Sequence, residues 1–230
     1  MATQPIRVTA HRELWPPTGV EQPVERFRAN GVGRPSPGFP GRVLRTVIPA
    51  GGRAGHLARV AIVSTTGLVW AGRSLQEVLG RPAYWDPTTA SDFVAVVAYS
   101  AALLLTAASL LILAETARPR RLLGLVILLA AGGCALAGAA NGLEDGSGLP
   151  GFGSVYVAGA LLGGFGMVVT AVMLFAGPAR RLAFVPALGA VAMFTFSGGG
   201  GLIAIPAWLG FAAFLVRERQ GRQQPQGAVL

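Results

Sequence analysis

The chain has 230 residues, of which 52% are hydrophobic and 13% are charged, and its mean hydropathy is +0.55. A soluble domain carries about 25% charged residues, so this composition predicts a membrane protein. All 19 basic residues are Arg and give a net charge of +9, while a single Cys excludes an internal disulfide, a cysteine metal cage and a dithiol redox pair.

Residues 1–56 differ from the rest of the chain because they hold half of the 16 prolines and no sustained apolar run. Such a segment buries too little apolar surface to offset the entropy of ordering it. It also lacks the apolar core of about 7–15 residues that marks a signal peptide. We therefore predict that residues 1–56 form a disordered Arg/Pro/Gly-rich cytoplasmic tail.

From residue 57 onward, apolar runs alternate with short polar gaps, which predicts a transmembrane domain over residues 57–216. The runs 93–114, 122–140 and 155–175 each approach the length of about 20 residues that crosses a hydrocarbon core of about 30 Å. They are continuously apolar rather than alternating, which favours helices over a membrane barrel. The predicted fold class is therefore all-α, a polytopic helical membrane protein.

Three further runs are weaker. Arg73 interrupts the run 57–79, and we expect its side chain to snorkel to the outer headgroups and to pair with Glu77, four residues later. The runs 182–196 and 198–216 meet at a glycine-rich stretch and form either two thin spans or one re-entrant hairpin. Counting these runs, the sequence predicts about six transmembrane helices.

The distribution of arginine predicts the orientation. With six spans and both termini inside, every arginine except Arg73 and Arg81 lies on the inner side, as the positive-inside bias favours. This places the tail 217–230 and the N-terminus in the cytoplasm, with the protein in a bacterial plasma (inner) membrane. Glu115, at the inner end of the second run, is expected to form local ion pairs with Arg118, Arg120 and Arg121.

Few catalytic groups remain in the predicted spans. No ionisable residue lies near the middle of a span, which argues against proton-coupled and ion-coupled carriers. Retinal attachment needs a Lys, and the chain has none. His11 and His56 lie in the tail or at its edge, so no His reaches the bundle for haem ligation or a Ser–His pair. Cys134 is interpreted as a small apolar residue in a helix contact. We expect no catalytic residue, no cofactor and no metal.

One polar cluster closes the third run on its outer side, formed by Asn141, Glu144 and Asp145. Its oxygens suit Ca²⁺, but three ligands without a regular loop spacing fall short of a calcium motif, which favours a solvated turn. The stretch Asn141-Gly142-Leu143-Glu144-Asp145 resembles the Asn-x-x-Glu-Asp segment of small uncharacterised multi-span membrane proteins of high-GC bacteria. This resemblance extends over residues 118–216 and implies topology alone.

Small residues four positions apart mark two helix faces, Gly138 with Gly142 and Gly159 with Gly163. Such pairs let helix backbones approach closely in lipid. They predict either a dimer interface or tight packing inside one bundle, and six helices that must pack favour the second.

Two functions remain open. The first is a non-catalytic membrane scaffold or partner subunit, whose partners are the lipid bilayer and another membrane protein or a second copy of the chain; no nucleic acid is expected. The alternative is a small permease or channel for a neutral or apolar solute. Hydroxyl side chains on the first two runs support the alternative, namely Ser64, Thr65, Thr66, Ser100, Thr106 and Ser109.

Overall fold

The computed structural model describes four stretches of the chain, residues 52–80, 87–117, 119–195 and 200–223. Six α-helices follow one another in these stretches: α1 (Gly52–Gly80), α2 (Ala90–Ala117), α3 (Arg121–Glu144), α4 (Gly153–Phe175), α5 (Phe184–Phe194) and α6 (Gly200–Gln223). A 3₁₀ turn at Arg180–Leu182 precedes α5. The predicted all-α class is confirmed. The predicted tail falls outside the described residues except for 52–56, which begin α1.

Four of the helices are long and apolar enough to cross a membrane, namely α2, α3, α4 and residues 200–221 of α6. These four candidate spans, judged by length and composition, support a helical membrane protein. The other two fall short in different ways. Helix α1 has 29 residues but carries charges, whereas α5 has 11 residues and rises only about 16 Å.

The helices form a ring in which each packs against its neighbour in sequence and α6 packs against α1. Neighbours are antiparallel. Arg59 and Gln76 of α1, for example, contact Glu115 and Ser91 of α2 respectively. The bundle therefore has an arginine end, defined by Arg120, Arg121, Arg180, Arg181 and Arg217, and an acidic end, defined by Asp92, Glu144 and Asp145.

A capping box fixes the start of α2 at the acidic end. The Asp92 carboxylate accepts hydrogen bonds from the backbone N–H of Thr89 at 2.9 Å and from its hydroxyl at 2.8 Å. In return, the Asp92 N–H donates to the Thr89 hydroxyl at 3.2 Å. These bonds satisfy donors that the first turn of a helix leaves free. The acidic residue is thus explained by helix capping.

Arg73 lies inside the bundle and is only 7% exposed. The predicted pair with Glu77 is present, with 3.3 Å between Nη2 and the carboxylate oxygen. The predicted snorkelling is wrong. The Arg73 guanidinium carbon lies 4.5 Å from the ring centroid of Tyr99 on α2, so a carboxylate and an aromatic face hold the charge within the protein.

Glu115 pairs with Arg59 of α1 at 2.9 Å rather than with its own turn. Arg120 and Arg121 are exposed instead, and Arg118 lies outside the described residues. The local pairing predicted for Glu115 is therefore wrong for the two arginines that are described. The antiparallel α1–α2 hairpin explains the difference, because it brings the beginning of α1 beside the end of α2.

Candidate functional site

A cavity of about 910 Å³ lies at the acidic end of the bundle. Its walls come from α1, α2, α3, α4, the end of α5 and the loop that joins α3 to α4. This volume falls within the range of about 300–1,000 Å³ typical of small-molecule sites. All three members of the predicted polar cluster, Asn141, Glu144 and Asp145, line it.

Asn141 is 7% exposed and joins α3 to α2. Its side-chain nitrogen Nδ2 donates to the Ser100 hydroxyl at 2.9 Å and to the Val96 carbonyl at 3.4 Å. Because a carbonyl only accepts, the nitrogen must face α2. The amide oxygen Oδ1 has no hydrogen-bond partner among the described residues. It is also not enclosed by them, so it is open to the cavity.

Two tyrosines from different helices meet in the wall of the cavity. The hydroxyls of Tyr99 on α2 and Tyr156 on α4 are 2.8 Å apart, and their rings pack edge to face with centroids 6.2 Å apart. Each hydroxyl carries one hydrogen, so the shared bond uses one of the two. The pair therefore keeps one O–H donor and several lone pairs that other groups can use.

Glu144 and Asp145 bring two carboxylates to the cavity. Glu144 leans over the first residue of α4, because a Cβ at Gly153 would lie 3.1 Å from its Oε2, and a helix N-terminus favours negative charge. Burial, and next the neighbouring Glu144, raise the pKa of Asp145 above its ordinary value. The ion pairs found in the described part of the chain, Arg59–Glu115 and Arg73–Glu77, do not involve either carboxylate.

The loop from residue 145 to 152 depends on two glycines. Gly148 and Gly151 have φ angles of +70° and +95°, which side chains with a Cβ rarely adopt. The described residues contain no group of three or more His, Cys, Asp or Glu side chains suited to a metal ion.

Beneath the cavity, the hydroxyls of α1 and α2 bond to neighbouring groups. Thr66 and Ser109 share a hydrogen bond of 2.8 Å, and the indole N–H of Trp70 donates to the Thr106 hydroxyl at 3.0 Å. Thr106 in turn donates to the Ala102 carbonyl at 2.8 Å. These hydroxyls connect α1 to α2 in the conformation described.

The four glycines predicted to pack helices lie in contacts within one chain. A Cβ at Gly138 would lie 2.9 Å from the Ser100 carbonyl oxygen, and one at Gly142 would lie 3.4 Å from the Ser100 hydroxyl. On α4, a Cβ at Gly159 would lie 2.7 Å from the Ala137 nitrogen, and one at Gly163 would lie 2.9 Å from the Cys134 sulfur. They line the α2–α3 and α3–α4 contacts.

Sequence reasoning missed Gly133, which makes the tightest approach between α3 and α4. A Cβ there would overlap the backbone nitrogen of Gly163 and would lie 2.8 Å from the Gly159 carbonyl oxygen. The available signal was the small pair Gly133 and Ala137, which has the same spacing as Gly159 and Gly163. The pairing of Tyr99 with Tyr156 in the cavity wall, by contrast, had no signal in the sequence, because the two residues belong to different helices.

Comparison with protein-family models, with curated proteins and with solved structures gives no match for this chain.

Proposed function

We propose that this chain is a six-span protein of a bacterial plasma membrane, with both termini in the cytoplasm, and that it acts without catalysis as a scaffold or partner subunit. One observation carries the functional part. The bundle interior is filled by large side chains, Trp70, Trp208 and Phe211 among them, which are at most 2% exposed. A filled interior suits a protein that binds partners better than one that conducts a solute.

The faces of α1 support its role as a span. Apart from Arg53, which is exposed in the first turn, its charged side chains point inward, where Arg59 pairs with Glu115 and Arg73 with Glu77. Its exposed face is mostly apolar and follows helical spacing, with Leu57, Ala61, Leu68, Leu75 and Leu79 interrupted by Thr65 and Gly72. The mean hydropathy of the whole helix includes these inward charged side chains, although they do not face lipid. Because they are paired inside the protein, they do not prevent α1 from crossing the membrane.

The contacts of α5 support two thin spans over a re-entrant hairpin. Phe184 at its start packs against Gly210 in the middle of α6. Met193 in its last turn and Thr195 just beyond its end line the cavity at the acidic end. The residues before α5 extend the crossing toward the arginine end, since Leu182 and Ala183 are buried in the same core. The short α5 thus continues a longer crossing segment.

Cysteine labelling tests the topology. Ser147→Cys and Gln220→Cys place exposed thiols at the acidic and arginine ends, and wild type is the control because its single Cys134 is buried. In intact cells we expect an impermeant maleimide to label Cys at 147 readily and Cys at 220 only after lysis. If α6 crossed the membrane and α5 did not, both positions would lie on the same side and would react alike.

Solute flux tests the functional part. We expect purified protein in liposomes to pass glycerol and urea no faster than protein-free liposomes do, because the described interior is closed beneath the cavity. A Thr106→Val variant serves as the comparison, since Thr106 lies in that interior and bonds Trp70. Solute-specific flux through wild type that Thr106→Val abolishes would replace the scaffold with the alternative, a small permease for neutral solutes.

A further inference from the structure

The cavity at the acidic end contains polar groups that the fold itself does not use. Asn141 is more than nine-tenths buried, yet its Oδ1 faces the cavity with no described hydrogen-bond partner. Because this acceptor is open to the cavity, it can be satisfied by water or by a bound molecule that donates a hydrogen bond. The contact between α2 and α3 uses the side-chain nitrogen of Asn141 but leaves its side-chain oxygen without a hydrogen bond from the described residues. The oxygen therefore offers a hydrogen-bond acceptor to a molecule that enters the cavity.

The charges around this oxygen indicate that the donor is positively charged. Glu144 and Asp145 bring two negative charges to the cavity, and no described basic side chain forms an ion pair with either. Arg73 also lines the cavity, but its charge is balanced by Glu77. The described part of the wall is therefore negative overall, and it favours a cation over an anion or a neutral solute.

We propose that this cavity binds a monovalent organic ammonium ion with an apolar body, whose N–H groups donate to Asn141 Oδ1 and to the carboxylates of Glu144 and Asp145. An ammonium group has several donors and no acceptor, so it matches a wall rich in acceptors. The lone pairs of the Tyr99–Tyr156 hydroxyl pair add acceptors on the same wall. The apolar body of the ligand would lie against Phe93, Val157 and Met193.

The chemistry of the wall disfavours a metal ion. Ca²⁺ takes about 6–8 oxygen ligands, and the described residues contain no group of three or more His, Cys, Asp or Glu side chains that could hold a metal ion. The volume of about 910 Å³ also exceeds the space that one ion occupies. A drug-sized amine or an aminophospholipid headgroup fits it better. Both sources share the ammonium group, and the site does not depend on how many helices cross the membrane.

The test uses the full chain in nanodiscs of phosphatidylglycerol, which carries no amine. The probe is 2-phenylethylamine, and its matched neutral and anionic controls are 3-phenylpropanol and 3-phenylpropionate. We expect the amine to bind at least about tenfold more tightly than the alcohol, and the carboxylate not to bind. Equal binding of amine and alcohol would overturn the proposal, because the negative wall would then contribute nothing.

Isosteric variants locate the site. We expect Glu144→Gln combined with Asp145→Asn to weaken amine binding by about tenfold or more, while Glu218→Gln, at the arginine end, leaves it unchanged. The single variant Asp145→Asn, by contrast, should be more stable than wild type. Because the folded state raises the pKa of Asp145, its charged form opposes folding at neutral pH, so the variant should unfold at a slightly higher temperature. Unchanged affinity in a folded double variant would overturn the proposal.

The pH dependence and the lipid composition supply further arms. We expect amine binding to weaken on acidification as Asp145, which lines the cavity and whose pKa is raised by burial, is protonated. If replacing phosphatidylglycerol by phosphatidylethanolamine displaces the amine, the natural ammonium is a lipid headgroup. If it does not, the ligand is a free amine. Micromolar Ca²⁺ that displaces the amine completely would contradict an organic cation site.

Discussion

Gly133→Ala is expected to destabilise the bundle by about 3 kcal/mol, at the upper end of the usual cost of overpacking a core. The added methyl group would meet backbone atoms of α4, including the Gly159 carbonyl oxygen at 2.8 Å and the Gly163 Cα at 2.9 Å. Backbone atoms cannot rotate away as a side chain can. The two helices must therefore separate, and the close contacts along α3 and α4 are lost with them.

Gly132→Ala is the matched control for this prediction. Gly132 is the preceding residue of the same helix, is exposed, and has no atom within 4 Å of the position its Cβ would take. Both variants make the same chemical change, so helix propensity and hydrophobicity cancel between them. Unfolding in mixed micelles, followed by tryptophan fluorescence, measures the difference. Equal stability of the two variants would mean that α3 and α4 do not approach as described.

The same contact matters for the cavity, because α3 carries Asn141 and α4 carries Tyr156. Separating the helices moves these two side chains apart, so Gly133→Ala should also weaken amine binding. Gly132→Ala should keep wild-type affinity.

The sequence predicted the helices that depend on one segment alone. A continuous apolar run of about 20 residues indicates a span whatever surrounds it, and α2, α3 and α4 follow the runs 93–114, 122–140 and 155–175 closely. The close approach at Gly133 was not predictable in this way. With 33 glycines in the chain, many small-residue pairs arise by chance, and only the packing of two helices selects among them.

The candidate site was predictable in part for the same reason. Asn141, Glu144 and Asp145 are neighbours in sequence, so their clustering could be read directly. The groups that turn this cluster into a cavity, Tyr99 and Tyr156, come from other helices. Arg73 shows the limit most clearly: the i to i+4 spacing predicted its pair with Glu77, but the aromatic ring that makes burial acceptable lies on α2.

The ion pair between Arg59 and Glu115 should contribute about 2 kcal/mol to stability, below the cost of about 3–5 kcal/mol for breaking a fully buried pair. One Arg59 nitrogen lies 3.0 Å from Oε1 and 2.9 Å from Oε2 of Glu115, and the side chains are 18% and 22% exposed. Glu115→Gln removes the carboxylate that balances this arginine, and Arg59→Gln does the converse. In a double-mutant cycle the combined loss should be clearly smaller than the sum of the single losses, and the exchange Arg59→Glu with Glu115→Arg should recover part of the stability. Additive losses in the cycle would show that the two side chains act independently and that other contacts hold α1 to α2.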